Sequence, residues 1–365
     1  MIVRIAAGVA ACLAAMCVGI PAAADPGDST GELQALFDGA QPGSTVTLDH
    51  KVYPHGGVVT INVPNVKING NGATLQATND ATSSLHITAD GVTVSNLNLT
   101  APIGGQRYSA PDQDKIYVRA NGVTLNDITI AGSAATGVFL NNVNGFSLNR
   151  VTVRDSRADG IHMTLGSSNG QVNNPLIERS GDDGVAVVSY SERFLGFATA
   201  PCRNIVINSP TVTSTTYGQG ISALGGENIS YRNINISSTW GAGVFIGSIG
   251  APFFTQATSG VEVTGGTVTG ANTNGGMGAI AVFGEQPGVP ASNVTIANLR
   301  VVDTPESAQR TIAVHTKDGG TIAGLALRNL VIRQNGALPV VESDGPRDSY
   351  SMSGVTLNGS PYEAP

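Results

Sequence analysis

VTLNDITIAGSAATGVFLNNVNGFSLNRVTVRDSRADGIHM, residues 123–163, carries the pattern that decides the fold. Two short runs of β-formers flank Asn126, and the same arrangement returns at Asn149. Outward from this stretch the asparagine recurs at Asn96 on one side and at Asn174, Asn208, Asn233, Asn298 and Asn329 on the other, at intervals of 23 to 34 residues. One coil, VEVTGGTVT, breaks the series and puts Gly265-Gly266 at that place. Both residue types tolerate the left-handed conformation that a sharp bend between strands requires. Self-similarity at this period marks a solenoid whose coils stack, because no single coil can bury its apolar face alone. The alternating Val, Ile and Thr runs supply the walls. The spacing predicts Asn126, Asn149, Asn174, Asn208 and Asn233 in one stacked ladder at one bend.

The chain opens with GELQALFDGA (31–40), which puts Leu33, Leu36 and Phe37 on one face of a short helix. Such a helix closes the open first coil, where an exposed sheet edge and an apolar mouth coincide. STVTLDHKVY and GVVTINVPNVKING then alternate as strands. This opening resembles the start of right-handed parallel β-helix proteins of the pectin-lyase-like class, which implies an all-β solenoid. The expected organisation is a signal peptide over 1–24, a cap over 25–45, a β-helix over 46–343 and a terminal coil or tail over 344–365.

Residues 1–24 hold one arginine, Arg4, an apolar run too short to span a membrane, and a small-residue exit at Ala22-Ala23-Ala24. The expected product is secreted and has no membrane span. Loss of Arg4 with the signal takes the formal net charge from −7 to one unit lower. An acidic, lysine-poor chain lacks the basic cluster of a nucleic-acid binder. Cys12 and Cys17 fall in the signal and Cys202 remains alone, which excludes a disulfide framework and a cysteine-rich zinc site. No metal and no cofactor are expected, and the protein is expected to be a monomer.

About ten residues after each asparagine a glycine opens a strand: ATGVFL (135–140), ADGIHM (158–163), DDGVAV (182–187), GQGISA (218–223), GAGVFI (241–246) and MGAIAV (277–282). Coils about 4.8 Å apart then place position 159 over 183, with 219 in the next coil. Asp159, Asp182 and Asp183 would share one edge. Like charges that close raise a pKa and leave a protonated acid near neutral pH. A proton donor beside a proton acceptor is what glycosidic cleavage needs.

ADGIH (158–162), GDDGVAV (181–187), YGQGISALG (217–225) and GAGVFIG (241–247) together resemble the ordered motif series of glycoside hydrolase family 28, the polygalacturonase group. The resemblance implies Asp182 as general acid, with Asp159 and Asp183 activating the water of an inverting reaction. Gln219 stands where that family has histidine, and Phe245 and Gly247 stand where it has arginine and lysine. Those two cations hold the galacturonate carboxylate, so the substituted motifs point to a polysaccharide other than plain polygalacturonate. Tyr190, Tyr217 and Trp240 are candidate sugar-stacking rings. His162 is a candidate proton relay, and Arg157 and Arg179, with Arg154, are candidates for gripping an anion or tuning carboxylates. The stretch SYSERFLGFATAP (189–201) interrupts the repeat and reads as a groove wall. The competing functions are a polysaccharide lyase or epimerase and a non-catalytic glycan-binding β-helix.

Overall fold

The computed structural model describes residues 27–335 and 338–363, so the expected signal over 1–24 lies outside the described residues. Coil follows coil in one parallel solenoid with three walls, and the stretch 124–164 shows one full circuit. Thr124–Ser133 forms a first wall up to Asn126, turns at Asp127 (φ 54°) and continues as a second wall. Val138–Asn141 is the third wall, and the chain returns to the first at Ser147–Asn149. The first and second walls join round the bend into a 22-stranded sheet, while the third is an 11-stranded sheet of its own. All strand pairings are parallel until Thr356–Leu357 folds back antiparallel on Ser360–Pro361. The described residues after 343 therefore add a further coil, since Tyr350–Ser353 pairs in parallel with Leu325–Arg328.

The core follows from register. On the first wall Leu125, Leu148, Val172, Ile207, Tyr231, Val263, Ile296 and Leu327 stack in one column, every one of them buried. Each such side chain contributes about 1.5–3 kcal/mol by leaving water. The N-terminal helix, α1 (Thr30–Asp38), buries Leu33 and Phe37 against the mouth of the first coil. Leu36 does not join them; it is 39% exposed at the rim. Gln34 covers the open edge of the third wall, donating to the Thr60 carbonyl and accepting from the Thr60 amide.

The asparagines share one bend but fall into two columns one residue apart. In the first column amide hydrogens pass from coil to coil: Asn126 donates to Ser95, Asn149 to Asn126, Asn173 to Asn149, and Asn208 to Asn173, the last three at 2.8 Å. The next column holds the left-handed residues themselves: Asn96, Asp127, Arg150, Asn174, Ser209, Asn233, Gly265, Asn298 and Asn329, with φ between 50° and 76°. Asn174 and Asn233 therefore stand beside the expected ladder instead of in it, and Asn173 takes the ladder place. A second ladder, Asn144, Asn169, Asn204 and Asn228, runs along the return from third wall to first.

The glycine that opens each third-wall strand has a packing cause. A Cβ on Gly137, Gly160, Gly184 or Gly220 would lie 2.6 Å from the carbonyl oxygen of the glycine in the following coil. It would also meet Val153, Ile177, Val212 or Ile236 of the second wall. Glycine there belongs to the scaffold, and the residue before it is the one free to carry chemistry.

Candidate active site

The turn from second to third wall stacks Asp114, Thr136, Asp159, Asp183 and Gln219 just before this glycine column. Each aspartate of this column caps the next coil's backbone. Asp114 Oδ1 accepts from the Thr136 amide at 3.0 Å, Asp159 Oδ1 from the Asp183 amide at 3.1 Å, and Asp183 Oδ1 from the Gln219 amide at 2.7 Å. Asp182 lies one residue outside that column. One oxygen from each of Asp159, Asp182 and Asp183 lies within 4.8 Å of the other two. The repeat thus brings together the three carboxylates that the motifs point to, with Gln219 beside them.

Their surroundings differ. Asp183 is buried, and Ser222 donates its hydroxyl to Oδ2. Burial and then the neighbouring Asp182 and Asp159 push its pKa up to about 8, against the hydrogen bonds from Ser222 and Gln219. Asp159 Oδ2 faces His162 Nδ1 at 3.1 Å, and its side chain is 12% exposed. Asp182 is the open member, with 33% of its side chain exposed, and Arg107 donates to its Oδ2 at 2.7 Å. Burial and the Asp159 charge raise its pKa, with Arg107 pulling the other way. A cluster of this kind retains a proton at neutral pH that belongs to the group as a whole. His162 loses charge stabilisation by burial, yet the Asp159 carboxylate outweighs that and raises the imidazole pKa. Its Nε2 is buried with no hydrogen-bond partner among the described residues.

A cavity of about 270 Å³ opens beside the acids over the outer face of the third wall. Asp114, Asp159, His162 and Phe139 line its floor. Arg107 and Tyr108 come from the connection 101–114, and Phe194 and Leu195 from the insertion 189–201, which forms the short helix Glu192–Leu195. The interrupting stretch is thus a wall of this cavity. A larger cavity of about 450 Å³ sits at the last coil between Tyr350, Met352 and Tyr362, away from the acidic edge, and the chemistry stays with the smaller one.

Several other sequence candidates take different positions. Arg157 does not face the cavity: its guanidinium is buried, binding Asp80 at 2.6 Å and the carbonyls of Pro102, Gly104 and Gln106, so it clamps the 101–114 connection. Arg179 makes a two-point pair with Asp155 at 2.7 and 2.9 Å on an exposed bend, and Arg154 pairs with Glu178. Phe245 is buried in a cluster with Ile249 and Phe283 and is a packing residue. Tyr190 is partly exposed and lines the same cavity, with the rings of His162 and Phe194 stacked against its own. That stack continues through Phe139 to Tyr117. Tyr217, 64% exposed, and the partly exposed Trp240 meet edge to face at 5.9 Å on the turn that runs past Asp182.

Arg107, Asp114 and Ser222 escape the motif reading. Arg107 lies on a connection with no repeat signal. Ser222 stands at the same offset from its glycine as His162 does in ADGIH, so the outward position of each strand was the available clue.

The family model described as "Right handed beta helix region" matches residues 82–256. No curated protein sequence matches the chain. Among solved structures, the catalytic domain of an α-1,3-glucanase of glycoside hydrolase family 87 in complex with nigerose superposes with TM-score 0.69 at 16% identity, covering 94% of this chain and 66% of that domain. The chain thus spans just under two thirds of that domain's length. The A-module of an Azotobacter vinelandii mannuronan C-5 epimerase gives 0.60 at 14%, covering 92% and 96%. A Thermotoga maritima exopolygalacturonase gives 0.60 at 12%, covering 91% and 86%. Identities this low speak to fold. Together with the coil register, they make the chain a right-handed parallel β-helix of the pectin-lyase-like type.

Proposed function

We propose that the chain is an exported glycoside hydrolase acting on a polysaccharide other than plain polygalacturonate. One observation carries the reading: three carboxylates converge, one of them, Asp159, lines a cavity, and the most open of them, Asp182, has a raised pKa. Asp182 reaches the glycosidic oxygen and donates a proton to it. Asp159 and Asp183, fixed by backbone amides, hold the water that attacks the anomeric carbon, and the proton lost by water returns to the cluster. Arg107 leaves Asp182 as the leaving oxygen takes its place. The solved neighbours named as a glucanase and a polygalacturonase support a glycan substrate on this fold.

A lyase or epimerase needs a cation to hold a uronate carboxylate. Among the described residues the arginine that reaches this edge is Arg107, and it already pairs with Asp182. That favours hydrolysis of a glycan without a uronate at the cleaved position. The spacing supports a second reading for stereochemistry. Oxygens within 4.8 Å are closer than the roughly 6.5–9.5 Å of an inverting pair and nearer the roughly 5–5.5 Å of a retaining one. Inversion therefore rests on the motif resemblance, and proton NMR of the first-formed anomer decides it. The test of the reaction itself is the release of reducing ends without ultraviolet absorption from a panel of plant and bacterial cell-wall polysaccharides. Unsaturated product would replace hydrolase with lyase.

A further inference from the structure

Asp114 belongs to none of the motifs, yet it stands in the same edge column as Asp159, two coils before it, and lines the same cavity. Two coils of about 4.8 Å put the two carboxyls on the order of 10 Å apart, with Thr136 between them. The cavity therefore has an acid at each end of its floor. Lys115 does not neutralise Asp114: its Nζ donates to the carbonyls of Ser83 and Thr100, both at 3.2 Å. Arg157 is held by Asp80 and loop carbonyls, and Arg107 by Asp182. Burial raises the Asp114 pKa against the hydrogen bonds it takes from Thr136, with Asp159 adding a smaller push, and the protonated carboxyl that burial favours can donate as well as accept.

The rest of the lining is of two kinds. Phe139, Phe194 and Tyr108 offer apolar ring edges, and His162 brings a buried Nε2 that lacks a partner. A neutral sugar ring has the complementary surface, with hydroxyls round its edge and C–H groups on its faces. At about 270 Å³ the space is small beside the roughly 300–1,000 Å³ of pockets for drug-sized ligands. A uronate would bring a further negative charge next to Asp159, and the two basic side chains that line the cavity among the described residues, His162 and Arg107, already face Asp159 and Asp182.

Resting on the glycan-directed reading above, we propose that this cavity is a recognition site for a single neutral sugar residue next to the cleaved bond, with Asp114 as its specificity-determining residue at the end remote from Asp182.

The test is equilibrium binding of single sugars to the full chain: neutral aldohexoses and aldopentoses, an amino sugar and a uronic acid. The expected result is saturable binding of at least one neutral sugar, weakened about tenfold or more by Asp114→Leu, which leaves ring hydroxyls without a partner. Asp114→Asn should restore most of the affinity, since its amide both donates and accepts, and Arg179→Ala should match the wild type. Phe139→Ala gives an independent reading of the same cavity should Asp114→Leu fail to fold, and it too should weaken binding. No binding by any neutral sugar, tighter binding of the amino sugar or uronic acid, or equal affinity in folded Asp114→Leu would each overturn the proposal. Hydrolysis is scored separately. A chain that binds a neutral sugar through Asp114 but cleaves nothing sinks the hydrolase reading and leaves this site standing.

Discussion

Arg157→Met should release the connection 101–114 from the body of the helix while leaving the coils intact. The native guanidinium makes a 2.6 Å ion pair with Asp80 and donates to the carbonyls of Pro102, Gly104 and Gln106, from a side chain only 6% exposed. Methionine keeps the packing of the stem and removes all four bonds. Charge-assisted bonds contribute about 1.5–3 kcal/mol each, but they share one group and do not add. Losing one partner of a buried pair costs about 3–5 kcal/mol, which is the better guide. Because the clamp joins a loop to a wall, the cost should appear as local opening instead of global unfolding. At ~1.4 kcal/mol per factor of ten, amide exchange in the loop should speed up by about 100-fold to a few thousand-fold. The amides to follow are Tyr108, bonded to the Ala134 carbonyl, and Ala110, bonded to Gln113 Oε1, by hydrogen-exchange mass spectrometry over 101–113. Turnover should fall as well, since Arg107 and Tyr108 ride on this loop. Unchanged exchange at 101–113 in a folded Arg157→Met protein would refute the clamp.

Asn149→Leu removes an amide that donates to Asn126 and accepts from Asn173, so about 1–3 kcal/mol of stability should be lost, read as a lower denaturation midpoint. Gly184→Ala should cost about 1–3 kcal/mol or prevent folding, because the new Cβ would sit 2.6 Å from the Gly220 carbonyl; a neutral result would show that the coils can part. Asp183→Asn carries a pH signature. Asp183 has its pKa pushed up to about 8 from an ordinary 3.8, so between those pH values the native state holds a proton that the unfolded chain has released. Stability from this group therefore falls as pH rises from about 4 to about 8. The thermal midpoint of Asp183→Asn relative to wild type should be higher at pH 8 than at pH 5, and a difference of the opposite sign would place the proton elsewhere.

Fold was legible because it is written in repetition. A period of 23 to 34 residues and alternating Val, Ile and Thr fix three walls whatever the surface carries. Register to the single residue was not legible, as Asn173 and Asn174 show: both bend positions accept asparagine, one for its amide and one for its tolerance of positive φ. The acidic trio was legible because two of its members ride on the glycine column. What stayed hidden came from contacts between segments far apart in sequence. Arg157 reads in the sequence as a ligand-gripping cation beside an acidic turn, and only its bonds to Pro102, Gly104 and Gln106, which lie 51 to 55 residues away, show that it holds a loop. Arg107 reaches Asp182 across 75 residues. Tyr190 is legible as a candidate lining ring from its place just after the double aspartate, but its stacking on His162 and Phe194 is not.

The most direct measurement is reducing-end release by wild type and Asp182→Asn on whichever polysaccharide of the panel the wild type cleaves, with thermal midpoints taken alongside. Asparagine keeps the size of the side chain and an acceptor for Arg107 but has no proton to give the leaving oxygen, so turnover should drop about 100- to 10,000-fold at a similar midpoint. Undiminished turnover in folded Asp182→Asn, or no release by the wild type from any polysaccharide, would contradict the account.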